Sequence, residues 1–193
     1  MSKLGFDLDG VLVDWNSAFI ALMIQLTGRD LFPPRPFDIP TWNYPTHYGY
    51  TTAEVSYVWT HIKASPYFWQ SLKPYETTGD ALRAIHDRWR QNDDLYFITS
   101  RPGIDAKKQT ENWLRMHWPM YTVPPLTVLI SSHKGLCAKA LHLDAYIDDK
   151  DTNVCDVVRE HATCRTFLLD RSWNRSLEWP DRIQSVTDML SQI

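Results

Sequence analysis

From Thr78 onward the chain exchanges one hydrophobic period for another, and that alternation most limits what it can fold into. Ala81, Leu82, Ile85 and Trp89 recur at helical spacing, and Leu95-Tyr96-Phe97-Ile98 then forms a short apolar run. The exchange repeats: a helix over 105–118, a strand over 126–130, and a helix containing Lys134 with Ser131 or Ser132 as its cap. A strand at 145–147, a helix from Asp151 to about His161 and a strand at 165–169 follow. Pro180 suits a helix start, with Ile183, Val186, Leu190 and Ile193 as the last apolar stripe. Helix and strand in alternation predict an α/β, Rossmann-like parallel sheet wrapped by helices. Ligands of such sheets lie outside the C-terminal ends of the strands.

The N-terminal stretch supplies one more strand. Leu4 to Leu8 reads as extended, so Asp7 and Asp9 share a face while Leu8 points into the core. Two carboxylates one residue apart raise the pKa of one of them unless a cation intervenes. Gly10 allows a sharp turn behind them. For Asp-Leu-Asp-Gly alone, a plain turn is the competing explanation. A calcium loop fits poorly, because Val11, Leu12 and Val13 stand where oxygen ligands would be needed.

Between this strand and the alternating half lies a stretch of different character. Asn16 to Thr27 has helical spacing with Gly28 as a C-cap, and Thr51-Thr52-Ala53-Glu54 is a capping box opening a helix to about Ala64. In between, Pro33, Pro34, Pro36, Pro40 and Pro45 alternate with Phe37, Trp42, Tyr44, Tyr48 and Tyr50. Prolines at this density forbid a regular helix or central strand. A loop so aromatic should fold over a core edge or a ligand. Residues 15–76 thus differ in character from the alternating half that follows.

Composition narrows the function classes. A length of 193 residues fits one domain with a small insertion. The net charge of −3 argues against bulk binding of a polyanion, so no stable nucleic-acid partner is expected. No apolar run could span a bilayer, and Met1 to Gly5 runs straight into the first motif; a cytosolic location is the expectation. Cys137, Cys155 and Cys164 lack C-x-x-C spacing and read as reduced, buried thiols. The seven histidines show no zinc spacing.

Polar residues gather at the predicted strand ends: Asp7 and Asp9; Thr99, Ser100 and Arg101; Ser131, Ser132 and Lys134; Asp148 and Asp149. Carboxylates without histidine or thiol suit a hard cation, most simply Mg²⁺. Hydroxyls at a helix start suit a phosphate oxygen, and lysine supplies a point charge. The set fits phosphoryl transfer, in which an attacking Asp needs its charge and that of the phosphate neutralised.

Asp7-Leu8-Asp9-Gly10, Thr99, Lys134 and Asp148-Asp149 resemble the four motifs of the haloacid dehalogenase-like phosphatase superfamily, in order and over most of the chain. The resemblance implies Asp7 as nucleophile, Asp9 as general acid/base, Thr99 as phosphate binder and Lys134 as the cation steadying both. It also implies Mg²⁺ held by the Asp7 carboxylate, the Asp9 carbonyl and the acids Asp148 and Asp149. Phe6 to Trp15, Ser65 to Leu82, Phe97 to Ser100 and Ile147 to Lys150 are further similar to the 5′(3′)-deoxyribonucleotidase family. That likeness implies a nucleoside monophosphate substrate, with Ser100 and Arg101 near its phosphate, and is compatible with a homodimer. It also implies a catalytic core from 1–14 and 77–193, with a small, mainly helical cap inserted at 15–76. Trp15 stands where that family places a base-contacting ring; packing is the alternative for it and for Trp42, Tyr44, Phe68 and Trp69. Arg101 departs from the family pattern, in which proline follows Thr-Ser directly. Other outcomes of the same chemistry are a phosphatase for another small ester, one for nucleic-acid 3′ ends, or a non-catalytic binding module.

Overall fold

The computed structural model describes all 193 residues. Six parallel strands form one sheet in the order β3-β2-β1-β4-β5-β6. They are β1 (Lys3–Phe6), β2 (Asp94–Thr99), β3 (Thr127–Ile130), β4 (Ala145–Asp148), β5 (Arg165–Leu169) and β6 (Arg182–Ile183). β1 is central, pairing Leu4 with Leu95 on one side and with Ala145 on the other. The strand order reverses direction at β1, and a doubly wound sheet opens its ligand crevice at that switch point. The crevice therefore lies beyond Phe6, Thr99 and Asp148.

Helices α4 (Thr78–Arg90), α5 (Ala106–His117), α6 (Lys134–Leu141) and α7 (Asp151–Glu160) alternate with the strands as the periodicity requires. They are numbered after α1 (Trp15–Thr27), α2 (Tyr44–His47) and α3 (Thr52–Ala64) of the N-terminal half. Gly28 closes α1 in the left-handed conformation. Thr51 and Glu54 form the capping box of α3.

Four expectations need correction. Pro180 does not start a helix: β6 adds an edge strand at Arg182–Ile183, and α8 (Val186–Leu190) begins only after Ser185 caps it. A two-residue strand is too short to leave a periodic signature. Neither Ser131 nor Ser132 caps α6, whose cap position is His133; Ser131 Oγ instead accepts from the His133 amide at 3.0 Å, closing a local turn. The proline-rich stretch is not wholly irregular, since Pro45 sits in the first turn of the four-residue α2, where its missing N–H costs nothing. Of the cysteines only Cys164 is buried, and Cys155 is exposed.

Residues 15–76 leave and rejoin the sheet at one place. Val13 bridges Pro74 in antiparallel fashion, and backbone bonds Asp14 N to Lys73 O and Tyr75 N to Leu12 O pin the two ends together. Their apolar side chains join the sheet's core: one cluster holds Leu4, Phe6 and Phe97 together with Phe19, Val58, Ile62 and Trp69. No helix is long and apolar enough to cross a membrane.

Candidate active site

β1 delivers the first carboxylate. The Asp7 amide still donates to Ile147 O at 3.0 Å, which prolongs the ladder one residue past the strand and fixes where its side chain emerges. Leu8, fully buried, then anchors a tight turn by accepting the amides of Leu12 and Val13 at 2.8 and 2.9 Å. The turn needs Gly10. Its φ is +88°, and a Cβ there would lie 2.1 Å from Asp149 Oδ2. The glycine thus lets the first loop close against the acid at the end of β4.

Asp7, Asp148 and Asp149 converge, each offering an oxygen within 4.8 Å of the others, and all three are buried. Lys134 reaches them from the first turn of α6, donating to Asp7 Oδ1 and to Ile98 O and lying 3.9 Å from Asp148 Oδ2. Close packing of α6 on α7 makes this reach possible: a Cβ on Gly135 would meet Asp156 O at 2.3 Å. Asp148 accepts from Tyr146 Oη at 2.6 Å, Asn153 Nδ2 at 3.0 Å and the Lys150 amide at 2.9 Å. Asp149 Oδ2 accepts from Trp173 Nε1 at 3.0 Å, while Asn174 Nδ2 holds its carbonyl at 2.7 Å.

Three carboxylates beside one lysine leave excess negative charge. Burial pushes Asp7 up to about 7, with Lys134 opposing and Asp148 and Asp9 adding to the rise. Burial also lifts Asp149 well above the carboxylate range, aided by Asp148 and Asp7 and opposed by Arg171. Burial pulls Lys134 down, but Asp7 and Asp148 outweigh it, so its pKa is raised and it stays charged. All-oxygen donors carrying uncompensated charge fit a hard divalent cation.

Asp9 stands apart from that cluster. Its carboxylate is gripped by Arg101, Nη2 to Oδ1 at 2.7 Å and Nε to Oδ2 at 2.9 Å, with Thr99 Oγ1 at 3.3 Å. Ser100 is exposed and donates to Ser131 O at 3.1 Å.

Above these groups opens a cleft of about 340 Å³. Its lining combines a polar set, Asp7, Asp9, Thr99, Ser100, Arg101 and Asp149, with an aromatic set, Trp15, Phe19, Trp42, Tyr44, Trp59 and Trp69. Lys134 and Asp148 are fully buried and are not among the lining residues. Trp15 retains only 8% exposure and is stacked against Trp59 at 5.2 Å and Trp69 at 6.0 Å. Trp42 is 39% exposed, with the Lys150 ammonium 4.7 Å from its ring centre. The Tyr44 hydroxyl is buried without a partner.

Of the residues singled out from the sequence, Asp7, Asp9, Trp15, Trp42, Tyr44, Trp69, Thr99, Ser100, Arg101, Ser132 and Asp149 line this cleft. Lys134 and Asp148 meet Asp7 without lining the cleft, and Phe68 is not in the lining. Missed were the groups that hold the acids: Tyr146, Asn153, Trp173, Asn174 and Arg171, which donates to Gly10 O at 2.8 Å. Tyr146 and Asn153 sit within five residues of Asp148 and could have been weighed as its partners. Trp173 and Asn174 lie in a single 3₁₀ turn, Ser172–Asn174, too short to leave a periodic signal.

Known proteins agree with the geometry. Residues 1–193 match the family described as 5′ nucleotidase, deoxy (Pyrimidine), cytosolic type C protein. A provisionally named nucleotidase of Oceanobacillus iheyensis is 23% identical over 96% of this chain and 99% of its own. A hydrolase from Pseudomonas syringae shares the fold at 14% identity with a TM-score of 0.60, covering 100% of this chain and 97% of that one. So does a provisionally named HAD-hydrolase of Bacillus subtilis solved with bound magnesium, at 13% identity, a TM-score of 0.56, and coverage of 99% and 97%. With its whole length matched and its strand-end acids gathered on a haloacid dehalogenase-like sheet, the chain belongs to the cytosolic type C, pyrimidine deoxy 5′ nucleotidase family, and is a phosphoric monoester hydrolase.

Proposed function

We propose that the protein hydrolyses deoxyribonucleoside monophosphates to nucleoside and phosphate, with Mg²⁺, through an aspartyl-phosphate on Asp7. The carrying observation is the buried Asp7 carboxylate, tied to Lys134 and grouped with Asp148 and Asp149, in a cleft that is also lined by aromatic rings. Asp7, Asp148, Asp149 and the Asp9 carbonyl would hold the metal. When bound, Mg²⁺ supplies the positive charge that lets an anionic carboxylate approach an anionic phosphate. The magnesium of the Bacillus subtilis fold relative supports that choice.

The residues divide the work. Asp7 attacks phosphorus while Lys134, held charged, offsets charge on the transferring group. Asp9 gives its proton to the leaving nucleoside oxygen, and the Asp7–phosphate bond then breaks as Asp9 takes a proton from the attacking water. Thr99 and Ser100 bind phosphate oxygens, and the rings of the cleft receive the base.

Phosphate release with Mg²⁺, screened over deoxyribonucleotides, ribonucleotides, sugar phosphates and 3′-phosphorylated DNA, tests this reading. Turnover strongest on deoxyribonucleoside monophosphates is the expected result. Silence on all nucleotides with turnover of a sugar phosphate would overturn it.

A further inference from the structure

Arg101 is the cleft residue whose surroundings fit its expected role least well. A guanidinium meant for a substrate phosphate should turn its fork of parallel N–H groups toward the cleft. This one directs an N–H from each of its three nitrogens to protein acceptors and turns the Nε/Nη2 fork onto Asp9. Its side chain is fully buried, Nε and Nη2 fork onto both oxygens of Asp9, and Nη1 donates to Thr110 Oγ1 at 3.1 Å. Thr110, itself buried, donates its hydroxyl hydrogen bond to Ala106 O at 2.7 Å on α5. The guanidinium carbon lies 5.1 Å from the centre of the Trp69 ring, whose N–H donates to Pro102 O at 3.0 Å. The arginine is thus held by α5 and Trp69 and spends its fork on Asp9.

We infer that Arg101 is a positioning residue for Asp9, fixing the orientation of the proton-carrying carboxylate, and is not a ligand of the substrate phosphate. This rests on the role given to Asp9 above. A planar fork fixes both the place and the plane of a carboxylate, which a lysine cannot do. Rigid placement matters because proton transfer to a leaving oxygen requires hydrogen-bond geometry at the moment the bond breaks. In the first half-reaction the P–O bond to the nucleoside breaks, its electron pair stays on oxygen, and the Asp9 proton moves to that oxygen. In the second, water adds to phosphorus, the bond to Asp7 breaks, and the water's proton returns to Asp9.

The contacts also identify which one must yield. Asp9 Oδ1 takes Nη2 at 2.7 Å and Nε at 3.2 Å; Oδ2 takes Nε at 2.9 Å and Thr99 Oγ1 at 3.3 Å. Those four approaches come from three hydrogens, since the one Nε–H is shared between the two oxygens. The longest is the Thr99 hydroxyl, the group a substrate phosphate would draw to itself, which would leave a place on Oδ2 for the proton. Arg101 stays put while Thr99 changes partner.

Leaving-group dependence separates this role from the alternatives. A nucleoside alkoxide must be protonated as it departs, whereas p-nitrophenolate departs unprotonated. Arg101→Met should lower kcat/KM, which reports only the half-reaction that expels the leaving group, by about 10²-fold on a deoxyribonucleoside monophosphate, the low end of a general acid's contribution. The loss on p-nitrophenyl phosphate should be at least about tenfold smaller, with KM for both moving less than about threefold. Arg101→Lys, which keeps the charge and loses the fork, should fall between wild type and Arg101→Met. In an Asp9→Asn background, Arg101→Met should cost little more, because the two residues act as one unit. Equal losses on both substrates with a large rise in KM would make Arg101 a phosphate ligand and overturn the proposal. Equal losses with unchanged KM and a lowered Tm would reduce it to scaffold, also overturning it. Should Arg101→Met not fold, the same substrate ratio for Arg101→Lys decides. Failure of the parent reading has a separate sign, turnover persisting in Asp7→Asn.

Discussion

Two kinds of wall line the cleft, a sheet wall of polar groups at the strand ends and an aromatic wall. On the sheet wall, Asp7, Asp148 and Asp149 are buried together with Lys134, and each carboxylate has an oxygen that accepts a side-chain hydrogen bond. On the aromatic wall, Trp15, Trp59, Trp69, Phe19 and Tyr44 lean on one another at centroid distances of 4.6–6.3 Å. The first wall holds like charges that repel, so it is stable only when neighbouring donors and a cation offset them. The second gains from burial and ring contacts, which tolerate rearrangement and carry no charge. A reaction centre needs fixed geometry, and a base pocket needs shape. Perturbing each wall should therefore change different observables.

The largest effect belongs to the nucleophile. Asp7→Asn should leave a folded protein and lower kcat by at least about 10³-fold, read by phosphate release. Substantial turnover would break the assignment of chemistry to the sheet wall. Next is Gly10→Ala, which forces a left-handed residue to carry a Cβ into Asp149. A loss of about 2–4 kcal/mol in chemical denaturation is expected, together with loss of any Mg²⁺-induced rise in Tm.

The charge on the sheet wall predicts a pH signature. The Asp7 carboxyl is raised from 3.8 to about 7, and Asp149 is raised further above its ordinary range, chiefly by burial. In the metal-free protein these groups subtract stability as pH rises from their unfolded values toward their folded ones, because only the unfolded chain ionises freely there. A divalent cation binds the deprotonated set and releases protons. The Tm increment from Mg²⁺ should thus grow between about pH 6 and about pH 8, measured by scanning fluorimetry. A constant increment would place the metal elsewhere.

The aromatic wall divides by exposure. Trp42→Ala should raise KM for a nucleotide several-fold more than for an aryl phosphate, with little change in Tm. Trp15→Ala should instead cost about 3–5 kcal/mol of stability, as removal of a buried indole does. The reverse pattern would make Trp15 the base-contacting ring and Trp42 a packing residue. The smallest effect is expected for Tyr44→Phe. Removing a buried, unpartnered hydroxyl should leave stability unchanged or raise it by up to about 1 kcal/mol. A marked rise in nucleotide KM would show that the hydroxyl meets substrate after some movement.

Legibility followed the same division. Thr99, Lys134, Asp148 and Asp149 could be placed because each follows a short apolar run in a chain whose helix–strand order was plain. The residues that hold them could not. Trp173 and Asn174 reach Asp149 across 24 and 25 positions, from a turn with no periodicity. Arg101 was legible as a residue near the phosphate, yet nothing local reveals that it would turn to Asp9, 92 positions away. β6 escaped because two residues are too few to alternate.

What the amino-acid order determined by itself was the doubly wound sheet and the positions at which it would present carboxylates, hydroxyl and lysine. Those follow from local rules, since period fixes element type and strand ends fix where side chains emerge. Only the tertiary structure decided partnership: that Asp7, Asp148 and Asp149 are buried as one cluster, that Gly10 admits Asp149 at contact distance, and that Asp9 answers to Arg101. Those are long-range contacts between irregular segments, and their energies depend on burial and distance, neither of which exists until the chain has closed on itself.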